Sequence, residues 1–347
     1  MMRPMMSRAI PPKGPQTGAT GQTKVAPPPR DRRATLTTPD GGGESTRTVI
    51  IAFGANLLVA IAKSVAAMIS GSASMLAEAS HSWADTGNQV FLLIATRRGS
   101  RAADANRPMG YGRETYVWSL LAAVGLFVVG AAVSIWHGIT ELLHEPGGHE
   151  NYLVAYVVLG IAFVLEGASL IQATRQLSGE ADELGRDLLE YALDTSDPTT
   201  RAVFAEDSSA LIGLALALAG VGLHQLTGNA AWDAIGSILV GVLLAVVAVI
   251  LIDRNRRYLT GEPGSPKLHD AAVERLEQMD DVASVRFLRL EYIGPKQIFL
   301  VASVDLVGDD KESNVARRLR VLERELETNP YVKDALLTVS DPDFEDR

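Results

Sequence analysis

Between about residues 47 and 257 the chain alternates long apolar runs with short polar breaks, whereas beyond 258 the apolar positions become sparse and periodic. Six runs stand out, at roughly 47–70, 73–96, 114–143, 151–175, 199–226 and 232–253. Each is near the ~20 residues that an α-helix needs to cross a bilayer. The breaks are of two kinds. Those after the first, third and fifth runs (Ile69 to Ser72, Glu141 to Tyr152, Gly222 to Trp232) hold no lysine or arginine. The others are basic: Arg97, Arg98, Arg101, Arg107 and Arg113 in 97–113, Arg186 and Arg201 in 176–201, and Arg254, Arg256 and Arg257 after the last run. Basic loops stay on the cytoplasmic side, so the pattern predicts six transmembrane helices with both termini in the cytoplasm.

Past residue 258 the period changes. Lys267 to Met279 has helical apolar spacing, Val285 to Tyr292 alternates like a strand, and Gly294-Pro295 marks a turn. Ile298 to Val307 predicts a second strand, Asn314 to Leu326 a second helix, and Val332 to Val339 a third strand. Helix–strand–strand–helix–strand suits a ferredoxin-like α+β layer. Its core is modest for its size, so dimerisation would help its stability. The fold class expected is therefore a multi-pass α-helical membrane protein with a C-terminal α+β ferredoxin-like cytoplasmic domain. The domains expected are a disordered basic tail over 1–46, a six-helix transport domain over 47–257 and a soluble domain over 258–347. Half of the 16 prolines lie in the tail, which has no apolar periodicity and no signal-peptide core.

Composition narrows the chemistry. Charged residues are 21% of the chain, below the roughly 25% of a soluble protein, and they gather at the two ends. Cysteine is absent, which excludes disulfides, thiolate metal sites and cysteine nucleophiles. With six histidines, metal chemistry must rest on carboxylates and few imidazoles. The net charge of −9 argues against a nucleic-acid partner.

An ionisable group inside a membrane helix is expensive and needs a partner or a cavity. The second run carries Glu78, His81, Asp85 and Asn88, whose offsets of 3, 4 and 3 place them on one helix face. The fifth run carries Glu206 and Asp207 at a matching depth. An imidazole with several carboxylates in a dry wall makes a divalent-cation site; Zn²⁺ accepts this mixture, and Mn²⁺ and Fe²⁺ suit it with more carboxylate or water. Donors must be deprotonated to bind, so protons and metal compete for them. Lys63, the intramembrane cation of the first run, is expected to pair with Asp207.

Four ordered motifs carry a resemblance. Glu78-Ala-Ser-His-Ser-Trp-Ala-Asp85-Thr-Gly-Asn-Gln89 resembles the second-helix signature of the cation diffusion facilitator family. It is followed by Arg107-Pro-Met-Gly-Tyr-Gly-Arg-Glu114, Glu206-Asp-Ser-Ser-Ala210 and Thr227-Gly-Asn-Ala-Ala-Trp-Asp233. The similarity covers roughly residues 47–345. It implies a homodimer in the lipid bilayer, placed in the plasma or inner membrane, that exports Zn²⁺ or a related divalent ion (Fe²⁺, Mn²⁺, Co²⁺ or Cd²⁺) against inward protons, with a metallochaperone-like cytoplasmic domain. It implies His81, Asp85 and Glu206 as metal donors, with no prosthetic group. The usual fourth ligand falls on Ala210, so Asp207, Glu78, Asn88 or water is expected to complete the site. That departure prompts a second reading, a transport-degenerate member acting as scaffold or regulator of metal homeostasis. A membrane-embedded metallohydrolase is set aside because no second histidine pair and no nucleophile are present.

Other polar residues have plainer expectations. Asp233 caps the sixth helix beside an interfacial Trp232. Gly110 and Gly112 serve a tight turn. Glu180, Asp182 and Glu183 are helix-surface charges, and His144 and His149 lie near the outer connection. His269 is the lone histidine of the C-terminal region, and Asp341, Asp343 and Glu345 form a solvated acidic end.

Overall fold

The structure, a computed structural model, describes residues 46–143, 152–183 and 187–340. The N-terminal tail up to residue 45, the connection holding His144 and His149, Arg186, and the acidic end with Asp341, Asp343 and Glu345 lie outside the described residues.

All six apolar runs form helix. They are α1 (Thr46–Ser70), α2 (Ala73–Gly99), α3 (Gly112–Gly125) continued by a π-helical segment (Leu126–Ala132) into α4 (Val133–Leu143), α5 (Tyr152–Glu183), α7 (Pro198–Thr227) and α8 (Ala231–Thr260). A short α6 (Leu188–Asp194) lies in the 176–201 connection, where the apolar pattern predicts none. Among the described residues, four helices are long and apolar enough by themselves to cross a membrane: Gly112–Leu143, Tyr152–Gly179, Pro198–Thr227 and Ala231–Thr260. α1 contributes a shorter apolar stretch, Asn56–Ser70, and α2 is diluted by the polar groups it carries. The fold is that of a multi-pass helical membrane protein.

The helix ends follow from local chemistry. Ser72 caps α2 by accepting from the Met75 amide, Asp197 caps α7 ahead of Pro198, and Gly228 closes α7 at φ +70°. Asp233 does not cap its own helix. Its carboxylate accepts from the Ser72 hydroxyl at 2.9 Å and the Ala73 amide at 2.6 Å, so it caps α2 from across the bundle. The α2 N-terminus offers unpaired amides and positive dipole density, which a buried aspartate satisfies better than water absent from the interior.

Small residues set the helix spacing. A Cβ on Gly241 of α8 would stand 3.0 Å from the Ala131 carbonyl oxygen, and one on Gly138 of α4 would stand 2.7 Å from the Ala234 carbonyl oxygen. The backbones of α4 and α8 therefore approach closely, as packing without a hydrophobic drive requires.

The C-terminal part is α9 (Pro266–Glu277), β1 (Val282–Gly294), β2 (Gln297–Leu306), α10 (Glu312–Leu326) and β3 (Val332–Val339). β2 is central, antiparallel to β1 and parallel to β3. Leu276, Leu322 and Leu326 of the two helices cover Leu300, Ala302, Val304 and Leu337 of the sheet. The expected order of elements is the observed one.

Candidate metal site

α2 lines the interior with Glu78, His81 and Asn88, all buried. His81 Nε2 lies 3.0 Å from Asp85 Oδ2, while His81 Nδ1 and Asp85 Oδ1 have no hydrogen-bond partner among the described residues. The imidazole, at zero exposure, is thus paired with Asp85 through one nitrogen and keeps the other, with one carboxylate oxygen, unengaged. A buried polar group left without a partner ordinarily costs stability.

The remaining candidates are each held by a neighbour. Glu206 of α7 is buried and accepts from Asn88 Nδ2, which ties α7 to α2. Asp207, the next residue and about 100° round the helix, accepts from Ser169 of α5 at 2.8 Å. Glu78 Oε2 accepts from Lys63 of α1 at 3.1 Å, both side chains being almost wholly enclosed. The expected Lys63–Asp207 pair is thus replaced by Lys63–Glu78, because Asp207 turns toward α5 while Glu78 faces α1. Gly213 makes room for this pair: a Cβ there would stand 2.7 Å from Glu78 Oε1. Ala210 is buried one turn beyond Glu206 and supplies no donor. As they stand, no three His, Asp or Glu among the described residues gather closely enough to hold an ion.

Sequence reasoning missed Glu166. It is half-buried in the middle of α5 and interacts electrostatically with Lys63, Asp85, His81 and Glu78, and with Glu206 and Asp207. The signal was present in the chain. Ala155, Leu159, Ala162, Glu166 and Ser169 recur at helical spacing, and the first three are buried against α1, α2 and α7. An acid on that stripe faces the interior.

Two other basic or turn residues depart from expectation. Arg201 is a wholly buried residue of α7; it donates to the Thr195 carbonyl and the Asn255 side chain, each at 2.8 Å. Gly110 does turn at φ +82°. Gly112 instead abuts the β1–β2 hairpin, where a Cβ would stand 2.6 Å from the Ile293 carbonyl oxygen.

Residues 49–260 match the cation efflux transmembrane domain. The chain belongs to the cation efflux, or cation diffusion facilitator, family. Its relatives include a protein of Xenopus laevis named proton-coupled zinc antiporter SLC30A9, mitochondrial, 36% identical over 262 residues, which are 76% of this chain and 47% of that protein. Metal tolerance protein C4 of Arabidopsis thaliana is 36% identical over 274 residues, 79% of this chain and 60% of that protein. The magnetosome protein MamM of Magnetospirillum gryphiswaldense is 24% identical over 270 residues, 76% of either chain. The chain spans about half the length of the antiporter it matches. For a cation efflux protein, the convergence of α2, α5 and α7 on one buried polar patch is the part of the fold with the chemistry to meet a cation.

Proposed function

We propose that this cation efflux protein exchanges divalent transition-metal cations, zinc foremost, for protons across a membrane, with His81, Asp85 and Glu206 as donors. The observation that carries the reading is the enclosed His81–Asp85 pair, whose Nδ1 and Oδ1 atoms are left without a hydrogen-bond partner among the described residues. Imidazole nitrogen and carboxylate oxygen are Zn²⁺ donors, and both must lose a proton to bind. A site that alternates between protonated and metal-bound donors couples two opposed fluxes. The printed names of the relatives, a zinc antiporter and a metal tolerance protein, support the same cargo. We further propose a homodimer in the plasma or inner membrane, with both termini and the αββαβ domain in the cytoplasm, in line with the basic connections of 97–113 and 254–257. The reading makes the protein a transporter and not an enzyme.

The test is metal uptake into proteoliposomes under an imposed pH gradient, with Zn²⁺, Fe²⁺, Mn²⁺ and Cd²⁺ offered separately to wild type and Asp85→Ala. Gradient-dependent zinc uptake that Asp85→Ala abolishes is the expected result. Inserted, folded protein that moves no ion would instead favour the scaffold or regulator reading, to which the missing donor at Ala210 also points.

A further inference from the structure

Three successive residues between α6 and α7 are each held by a different helix. The Asp194 carbonyl accepts from the Tyr258 hydroxyl of α8, the Thr195 carbonyl from the Arg201 guanidinium of α7, and the Ser196 carbonyl from the Tyr116 hydroxyl of α3, each at 2.8 Å. A fourth tie comes from the C-terminal region. The Ser196 hydroxyl accepts from the Lys296 amide, in the β1–β2 turn, at 3.0 Å. Lys296 holds φ at +53°, and no other non-glycine among the described residues has a positive φ. That conformation is uncommon for a side chain of this kind, and the turn presents its amide to Ser196.

Arg201 is the costly member. It is wholly buried, no Asp or Glu pairs with it among the described residues, and its Nε has no hydrogen-bond partner there. It also lies in the first turn of α7, where the helix dipole opposes a cation. Its charge is met by the Thr195 carbonyl, by the Asn255 side-chain oxygen at 2.8 Å and by the face of Tyr258 at 5.4 Å. The Tyr258 ring in turn stacks on Tyr116 at 5.0 Å and meets Tyr292 of β1 edge-on at 5.5 Å. A guanidinium compensated by dipoles and a ring on separate elements stays enclosed only while those elements stay together. Once they part it must be hydrated, so the arrangement is either shut or open.

We propose that Arg201, Tyr116 and Tyr258 form a latch that closes the α6–α7 connection on the bundle and fixes the N-terminal end of α7, and that the β1–β2 hairpin holds it shut through Ser196. None of these contacts involves His81, Asp85 or Glu206, so the latch does not depend on the transport reading. Where that reading holds, opening the latch frees the helix that carries Glu206, five residues beyond Arg201, and the seating of the hairpin sets how often it opens.

The experiment uses the absence of cysteine from the chain. Single cysteines are placed in the full-length protein at Ala202, 5% exposed beside the latch, and at Ala217, wholly buried further along α7. Their labelling by a water-soluble maleimide is timed in detergent micelles. Tyr116→Phe with Tyr258→Phe keeps both rings and removes both hydroxyls. It is expected to speed labelling at 202 by about fivefold or more while leaving 217 unchanged. Ser196→Ala, which removes the acceptor for the hairpin, is expected to speed labelling at 202 in the same sense by a smaller factor. Labelling at 202 within about twofold of the parent in the double variant would overturn the latch. Equal acceleration at 202 and 217 would overturn it too, since that reports general loosening. Acceleration by the tyrosine variants with none from Ser196→Ala would overturn the role of the hairpin. If the double variant does not fold, Ser196→Ala decides alone: faster labelling confined to 202 supports the proposal and unchanged labelling overturns it. Zinc uptake enters none of these readings, so failure of the latch and failure of the transport reading are separately visible.

Discussion

Lys63 and Glu78 are two charges enclosed within the bundle at 1% and 0% exposure. Such a pair barely offsets its own desolvation, but either member alone is an uncompensated buried charge. Lys63→Met is therefore expected to destabilise the protein by about 3–5 kcal/mol, while Lys63→Met with Glu78→Leu returns it close to wild type; denaturant unfolding in mixed micelles measures both. The donors proposed above, His81, Asp85 and Glu206, make zinc binding depend on pH. Because each must be deprotonated to coordinate, zinc affinity is expected to fall as pH falls, by up to about tenfold per pH unit for each proton displaced. Calorimetry in buffers of different ionisation heat counts those protons; an affinity flat with pH would contradict competition. The helical offsets made Glu78, His81, Asp85 and Asn88 legible as one face. Their partners were not, because a side chain's choice between Lys63, Asn88 and Ser169 depends on how α1, α2, α5 and α7 are rotated against each other.

At the scale of the element, α2 owes its start to a residue 160 positions away, Asp233 bonding the Ala73 amide. Asp233→Ala removes a charge-assisted cap and is expected to cost about 1–2 kcal/mol, read as a lowered melting temperature; Ser72→Ala, which leaves the aspartate in place, is expected to cost less. The loop between α2 and α3 has its own fastening. The Tyr111 hydroxyl donates to Asp104 Oδ2 at 2.8 Å, and this bond, with the amides of Arg107 and Asn106, holds the Asp104 carboxyl below its ordinary range. A carboxyl depressed on folding contributes stability above its unfolded pKa and loses it as pH falls through the folded one. The protection of the 104–111 amides, measured relative to their intrinsic exchange rate at each pH, is expected to hold at neutral pH and to fall below about pH 4. In Tyr111→Phe that onset moves to higher pH. The turn residues around Gly110 were readable in the chain; the aspartate that fastens them was not, since nothing in the apolar pattern marks a local side-chain bond.

At the scale of the whole molecule, the C-terminal sheet is joined to the helical bundle through one hairpin. Gly112 meets Gly294, Arg113 pairs with Glu291, the Lys296 amide donates to Ser196 at 3.0 Å, and Tyr292 packs edge-on against Tyr258. The segment after α8 adds to the same edge, with the Tyr292 amide donating to the Glu262 carbonyl at 3.2 Å. Gly112→Val would force a branched side chain into a gap bounded by backbone atoms, which cannot give way as a flexible side chain does. The expected outcome is a loosened junction with both halves still folded: faster proteolysis near residues 261–264, unchanged helical content, and a melting transition that separates into two.

The chain by itself determined the six helical runs, the αββαβ order and the shared polar face of α2, because each of these follows from periodicity along one element. The bounds of the strands fell within a few residues of expectation for the same reason: apolar alternation acts between near neighbours in the chain. Only the tertiary structure decided that Lys63 takes Glu78, that Asp233 caps a foreign helix, that Arg201 is buried, that Gly112 abuts the hairpin and that Glu166 joins the polar patch. Each of these depends on which faces of separate helices meet. That choice is set by close approaches such as Gly138 of α4 against Ala234 of α8 and Gly213 of α7 against Glu78 of α2, and no repeat within a single helix encodes it.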